Sequence, residues 1–222
     1  MSWNVRSLHD DARGVAEALR ALDADLVVLQ EAPRLLLWRR ARRLLAHRAG
    51  LRLLTRGRAC GNLLLAGPWV RALGTSVVPL PHVRGLHRRA AATASVRVGG
   101  REVVLAGTHL DLDPAARLAR ARAVRAALPP GPLVLCADVN EQDDGPAWAA
   151  LAHGLVDAGA GLGPTFPARA PRRRIDAVLV HPDLPVVAAR VLPTDAASDH
   201  LALCVDLGPG AAGGDPGGPV RR

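Results

Sequence analysis

A chain of 222 residues with 49% hydrophobic content has the material for one full domain and little room for a second. Its net charge is +9 and all 29 basic residues are Arg, a balance that a general bias toward Arg, Ala, Gly and Pro explains as well as an anionic partner does. The composition argues against a disulfide framework, a CxxC zinc site and a membrane-spanning helix: the three cysteines lack the spacing, and no apolar stretch reaches the roughly 18 residues that a span requires.

In chain order, Val5 ends a very short first strand and the spacing predicts an amphipathic helix over 10–21. Charges at Arg6, Asp10, Asp11 and Arg13 interrupt any leader-like apolar core, so a cytoplasmic setting is the expectation. The run 26–29 reads as a buried strand ending at Gln30-Glu31, and Pro33 precedes helical spacing over 35–49. Strand-like texture follows at 63–66, 70–78, 90–98 and 103–108, with Gly99-Gly100 as a hairpin turn. Asp113-Pro114 opens a helix to about residue 128, with Asp113 as its N-cap. Further strands are predicted at 133–137, 174–180, 186–192 and 201–205. Aromatics make up only 2%, so Leu, Val and Ala must build the core. Residues 1–207 are expected to form one domain, and the Gly/Pro-rich stretch 208–222 a disordered tail whose removal changes stability by less than about 1 kcal/mol.

Six places repeat one theme, an acidic, amide or imidazole side chain at or just beyond an apolar strand. They are Asn4; Glu31; His109 with Asp111; Asp138 with Asn140; Asp176; and Asp199-His200. The chain holds three Asn and four Glu in all, and two of those Asn and one Glu fall in this set, which makes coincidence harder to sustain. Phosphoester hydrolysis calls for such side chains. A hard divalent cation takes carboxylate and amide oxygens, a carboxylate near the attack line orients water, and an imidazole stabilises charge or delivers a proton. Asp138 and Asn140 are two apart, so a continued strand would point both into one cleft.

Each residue has a plainer explanation. Asn4 suits a strand-end turn, Glu31 a helix cap, Asp138 and Asn140 an Asx turn, and His109 a hydrogen-bonded core position. Asp176, close to Arg172, Arg173 and Arg174, suits a surface ion pair, and Ser198-Asp199 a turn. The order of all six weighs against reading them separately.

That order resembles the endonuclease/exonuclease/phosphatase superfamily, which includes deoxyribonuclease-I-like and abasic-site endonuclease-like members. The matching elements are Trp3-Asn4, Gln30-Glu31, Thr108-His109, Asp138-Val139-Asn140, Arg174-Ile175-Asp176 and Ser198-Asp199-His200. Gly61-Asn62-Leu63 and Thr165-Phe166-Pro167 add to it, and the likeness spans residues 3–206. The resemblance implies an α/β (α+β) fold, a four-layer α/β/β/α sandwich of two mixed sheets packed face to face with helices outside. It implies Mg²⁺, or alternatively Mn²⁺, held chiefly by Glu31 with Asn4 and Asp199. Asp138 would position the attacking water, Asn140 contact the phosphate, and His200 bind or protonate around it, oriented by Asp176. His109 would assist the phosphate or the leaving group.

Only Met1 and Ser2 precede Trp3, so the family's first strand is expected to be short, and the loops between motifs leave little room for selectivity insertions. The reading is a metal-dependent, nuclease-like phosphodiesterase acting by in-line water attack, expected to be a monomer with a phosphate-ester substrate such as DNA or RNA and no stable membrane insertion. Its rivals are a phospholipase- or sphingomyelinase-like diesterase, a small-molecule phosphatase and a catalytically silent binding module. A membrane-acting enzyme should expose an apolar or aromatic hairpin, for which Trp69 is the one candidate. A nucleic-acid enzyme should present Arg beside the cleft, and Arg84, Arg88, Arg89 and 172–174 are placed to do so.

Overall fold

The computed structural model describes residues 1–194 and 197–209, so the expected tail lies outside the described residues from Gly210 onward. The strands in chain order are β1 (Ser2–Asn4), β2 (Leu26–Gln30), β3 (Arg52–Leu53), β4 (Leu63–Ala66), β5 (Arg71–Pro79) and β6 (Ala90–Val98). They continue as β7 (Arg101–His109), β8 (Leu133–Asp138), β9 (Val156–Asp157), β10 (Asp176–Val180), β11 (Val186–Leu192) and β12 (Ala202–Leu207). Two six-stranded sheets result, in the orders β11-β12-β1-β2-β4-β3 and β5-β6-β7-β8-β10-β9. Both are mixed. The first contains the parallel pair β1–β2, the second the parallel pair β7–β8, and the other neighbours run antiparallel.

Among the described residues four α-helices complete the fold: α1 (Ala12–Leu22), α2 (Trp38–Ala49), α3 (Pro114–Ala127) and α4 (Pro146–Ala152). Side-chain alternation along β2 shows how the layers form. Val28 faces the space between the sheets, with Leu64, Ala92, Leu105, Cys136 and Val178. Val27 and Leu29 face the opposite way, onto Val15 and Leu19 of α1 and Leu45 of α2. The second sheet does the same with Leu135 and Leu179, which pack against Val124 of α3 and Trp148 and Leu151 of α4. Strands covered on both faces read as continuous apolar runs, and the product is the expected α/β/β/α sandwich. The sheets lie close together at Gly107, where an added Cβ would come within 2.5 Å of Val28 Cγ1.

Caps and turns follow local chemistry. Asp11 accepts from the backbone N–H groups of Arg13 and Gly14 to start α1, and Asp113 from Ala116 to start α3. Gly99 and Gly100 both take positive φ, as a tight hairpin between right-twisted strands requires. All three cysteines are free, Cys136 and Cys204 in the core. No helix among the described residues is long and apolar enough to cross a membrane.

The structure departs from the sequence reading at the start of α2. Helical spacing from residue 35 predicts α2 three residues too early, because Leu37 sits at φ 57° and ends an exposed loop instead. The two-residue strands β3 and β9 and the short α4 carry too few side chains for any period to register.

Candidate active site

The strand register assembles one end of the sandwich. On three adjacent strands of the second sheet, His109 stands opposite Asp138 and Asp138 opposite Asp176. In the first sheet Asn4 pairs with Gln30, the residue before Glu31. The facing strand ends thus bring residues far apart in sequence within reach. Asn4 Nδ2 donates to Asp138 Oδ2 at 2.8 Å and to Glu31 Oε1 at 3.2 Å, while its Oδ1 accepts from the backbone N–H of Arg6. Two carboxylates therefore share one amide group. Neither has an arginine within ion-pair distance among the described residues; the one charged-type neighbour of Glu31 is His109 Nδ1 at 3.9 Å. Glu31, half-exposed and without an arginine at ion-pair distance among the described residues, offers oxygen ligands that fit a hard divalent cation.

Asp138 is buried and held at both oxygens, since its Oδ1 accepts from the backbone N–H of Asn140 at 3.1 Å. Its Oδ2 lies 3.4 Å from His109 Nε2 and 3.9 Å from His200 Nε2. Asn140 reaches the group by a different route from the expected strand continuation. β8 ends at Asp138 and Asn140 takes φ 57°, so an Asx turn, not the strand pleat, sets its direction. The Asn140 amide nitrogen lies 3.0 Å from Leu110 O and 3.0 Å from His109 Nε2. With the amide donating to both, Nε2 of His109 is an acceptor and its proton sits on Nδ1. Glu31, at φ 51°, is likewise held in a left-handed conformation that few non-glycine residues adopt, a kind of strain that concentrates at functional sites.

His200 is placed by a second set of contacts. Its Nδ1 lies 3.0 Å from Asp176 Oδ2, which also accepts from Thr165 Oγ1 at 2.5 Å. Phe166, the only Phe in the chain, packs against the imidazole with ring centroids 4.7 Å apart. Trp3 Nε1 donates to the His200 carbonyl at 2.8 Å, and Ser198 Oγ to the Asn4 carbonyl at 2.7 Å, tying the last motif to the first. The alternative of a surface ion pair for Asp176 does not arise. Arg174 instead pairs with Asp143 and Asp157 and lies over Trp148, while Asp176 is fully buried. Asp138, Asp176 and His200 offer ligand-type atoms within 4.8 Å of one another, an approach that these hydrogen bonds account for. Asp199 stands further out, with Oδ2 3.6 Å from Arg6 Nε.

The two imidazoles are tuned in opposite directions. Burial is the main influence on His109 and, outweighing the opposing pull of Asp138, lowers its pKa to about 4. Burial would also lower that of His200, but the Asp176 charge and hydrogen bond, with Asp138 and Asp199, together prevail and raise it to about 9. At neutral pH one ring is neutral and the other cationic, the kind of split that separates acid from base roles.

Asp111 leaves the site. It is buried against Arg120, which also donates to the carbonyls of Pro81 and His87, and its Oδ1 lies 3.5 Å from Arg89 Nε. Arg120→Met should strand a buried carboxylate and cost about 3 kcal/mol. Denaturant unfolding would measure this, and a loss below about 1 kcal/mol would show that Asp111 is solvated or held by Arg89 alone. The sequence offers Arg89 as one of several arginines beside the cleft, with no assigned partner. Its positive charge bears on Asp138, Glu31 and His109. Thr165, Phe166 and Ser198 had a signal, membership of the short motifs, but no assigned task.

A model of the Endonuclease/Exonuclease/phosphatase family matches residues 1–200. No curated protein sequence matches the chain. Among solved structures it is similar to a mannosyl-6-phosphatase from Bacteroides thetaiotaomicron VPI-5482, at 18% identity and TM-score 0.80, over 93% of this chain and 97% of that one. It is similar to TDP2 from D. rerio, complexed with a single-strand DNA product, at 18% identity and TM-score 0.74, over 94% and 97%. An endonuclease/exonuclease/phosphatase from Beutenbergia cavernae DSM 12333 shares 26% identity at TM-score 0.75, over 95% of this chain and 71% of that one. At 18% identity the first two likenesses concern the fold alone.

Proposed function

Since the chain belongs to the endonuclease/exonuclease/phosphatase family, whose members hydrolyse phosphoesters, we propose that it is a Mg²⁺-dependent phosphodiesterase acting by in-line attack of water. The observation that carries the reading is the pair of carboxylates, Glu31 and Asp138, joined through Asn4 and flanked by one neutral and one cationic imidazole. Mg²⁺, or Mn²⁺ in its place, would be held by Glu31 with help from Asn4 and Asp199, and supplies charge that offsets the developing negative charge on the phosphate oxygens. Asp138, fixed at both oxygens, orients the attacking water and takes its proton. His200, kept cationic by Asp176, donates from Nε2 toward a phosphate oxygen. Neutral His109, held by Asn140, offers Nδ1–H to the phosphate or the leaving group.

The test is hydrolysis of bis(p-nitrophenyl) phosphate, DNA, abasic DNA and phospholipid with Mg²⁺, with Mn²⁺ and after chelation. Turnover of at least one diester, abolished by chelator and restored by either cation, is the expected result. Undiminished turnover after chelation would remove the metal from the mechanism, and no turnover of any diester would remove the diesterase reading.

A further inference from the structure

The loop joining β2 to α2 begins at Glu31 and exposes three consecutive leucines, Leu35 at 79%, Leu36 at 91% and Leu37 at 65%. Exposed apolar residues scattered singly need no explanation, but a contiguous run ringed by charge does. Here the charged residues lining the neighbouring concavities are all basic. No Asp or Glu occurs between Glu31 and Glu102, and two adjoining concavities that share Leu37 and Trp38 are lined by apolar and basic side chains almost throughout. The first includes Arg34, Arg58 and Arg88; the second runs along the outer face of α2 past Arg39, Arg40 and Arg43 to Leu44.

The loop is held in this presentation. Arg42 is buried with no carboxylate partner among the described residues and donates to the carbonyls of Pro33, Gly57 and Arg58, at 2.8, 3.1 and 3.0 Å. Trp38 is covered by the guanidinium groups of Arg39, Arg42 and Arg58. Leu37 keeps its left-handed conformation with no side-chain cap for the helix it precedes. The patch also adjoins the site. Arg34 is close enough for its charge to act on His109, and Leu112, 78% exposed, follows His109 by three residues.

We propose that this loop and the outer face of α2 dock the protein on an anionic lipid surface, so that the site meets phosphoesters carried at that surface. Charge complementarity and the leucines together select this occupant. Arginines alone would suit a nucleic-acid backbone equally well, but exposed leucines gain nothing from phosphates and water, whereas a bilayer interface takes apolar and cationic side chains together. Docking is peripheral, since no helix among the described residues is long and apolar enough to cross a membrane. The candidate offered by the sequence, Trp69, is half-exposed and stands apart from these residues, with its ring over Gly67 and its Nε1 donating to Asp25.

Docking itself does not depend on the proposed chemistry; the substrate statement rests on it, and the experiment separates the two. The full chain is sedimented with phosphatidylcholine vesicles with and without phosphatidylglycerol, and hydrolysis of soluble bis(p-nitrophenyl) phosphate is followed in parallel. Binding to the anionic vesicles is expected to exceed binding to neutral ones at least tenfold. It should fall at least tenfold in Leu35→Ser/Leu36→Ser and, separately, in Arg39→Gln/Arg40→Gln/Arg43→Gln, while both variants hydrolyse the soluble diester as the unaltered protein does. Vesicle binding that ignores phosphatidylglycerol, or that survives loss of the leucines, overturns the proposal. So does an unaltered protein that passes over vesicles and binds a DNA oligonucleotide through the same arginines. Vesicle binding without hydrolysis of any diester would leave docking in place and count against the diesterase reading.

Discussion

Glu31→Gln is expected to lower cation-dependent diester hydrolysis by roughly a thousandfold while the protein stays folded. A bound cation contributes several kcal/mol of transition-state stabilisation, and each tenfold in rate is worth about 1.4 kcal/mol. The substitution keeps the shape and the oxygen that accepts from Asn4 Nδ2, so the local hydrogen bond survives. It removes the charge, and with it the half-exposed oxygen donor best able to reach a cation without unfolding anything. Mn²⁺ binding, followed by water-proton relaxation, should weaken in parallel, which separates loss of metal from a disturbed substrate pocket. Full activity in the variant, or unchanged Mn²⁺ affinity, would move the metal away from Glu31.

Much of this site could be read before any fold was known, for a physical reason. The candidate site is made of strand ends, and a buried strand followed by a polar residue is visible as an apolar run with an abrupt stop. Leu26 to Gln30 before Glu31 and Leu133 to Ala137 before Asp138 are of this kind. Where the surroundings are built by distant segments, sequence alone runs out. Asp111 looks like its neighbours in the motif, and only the placement of Arg120 and Arg89 from two other segments draws it away. For Asp176 the sequence leaves an ion pair with the adjacent arginines open beside the pairing with His200, and the commitment of Arg174 to Asp143 and Asp157 decides between them. The Leu35 to Leu37 run fits helical periodicity because periodicity records spacing and cannot tell a buried apolar face from an exposed one.

The pairing of Asp176 with His200 has the next largest expected consequence, and its sign can be worked out. The imidazole pKa is raised from 6.5 to about 9, so His200 binds its proton more tightly in the folded state than in the unfolded one. The stabilisation is fully present below about pH 6.5 and is lost as pH rises through about 9. At about 1.4 kcal/mol per pKa unit the shift is worth roughly 3 kcal/mol. Asp176→Asn should therefore be most destabilising relative to the unaltered protein near pH 6, with the gap narrowing toward pH 9. The same substitution should lower the His200 pKa, seen directly in the NMR titration of the ring, and move the alkaline limb of the rate profile to lower pH. Groups that act as a unit have non-additive losses. His200→Ala should then cost about as much activity as His200→Ala combined with Asp176→Asn, because the carboxylate has nothing left to orient or charge. Thr165, which also donates to Asp176, gives an internal control: Thr165→Val should shift the imidazole pKa less than Asp176→Asn does, since it leaves the charge in place. Losses that multiply independently, or an imidazole that titrates near 6.5 in the unaltered protein, would show that Asp176 acts on the site by some route other than His200.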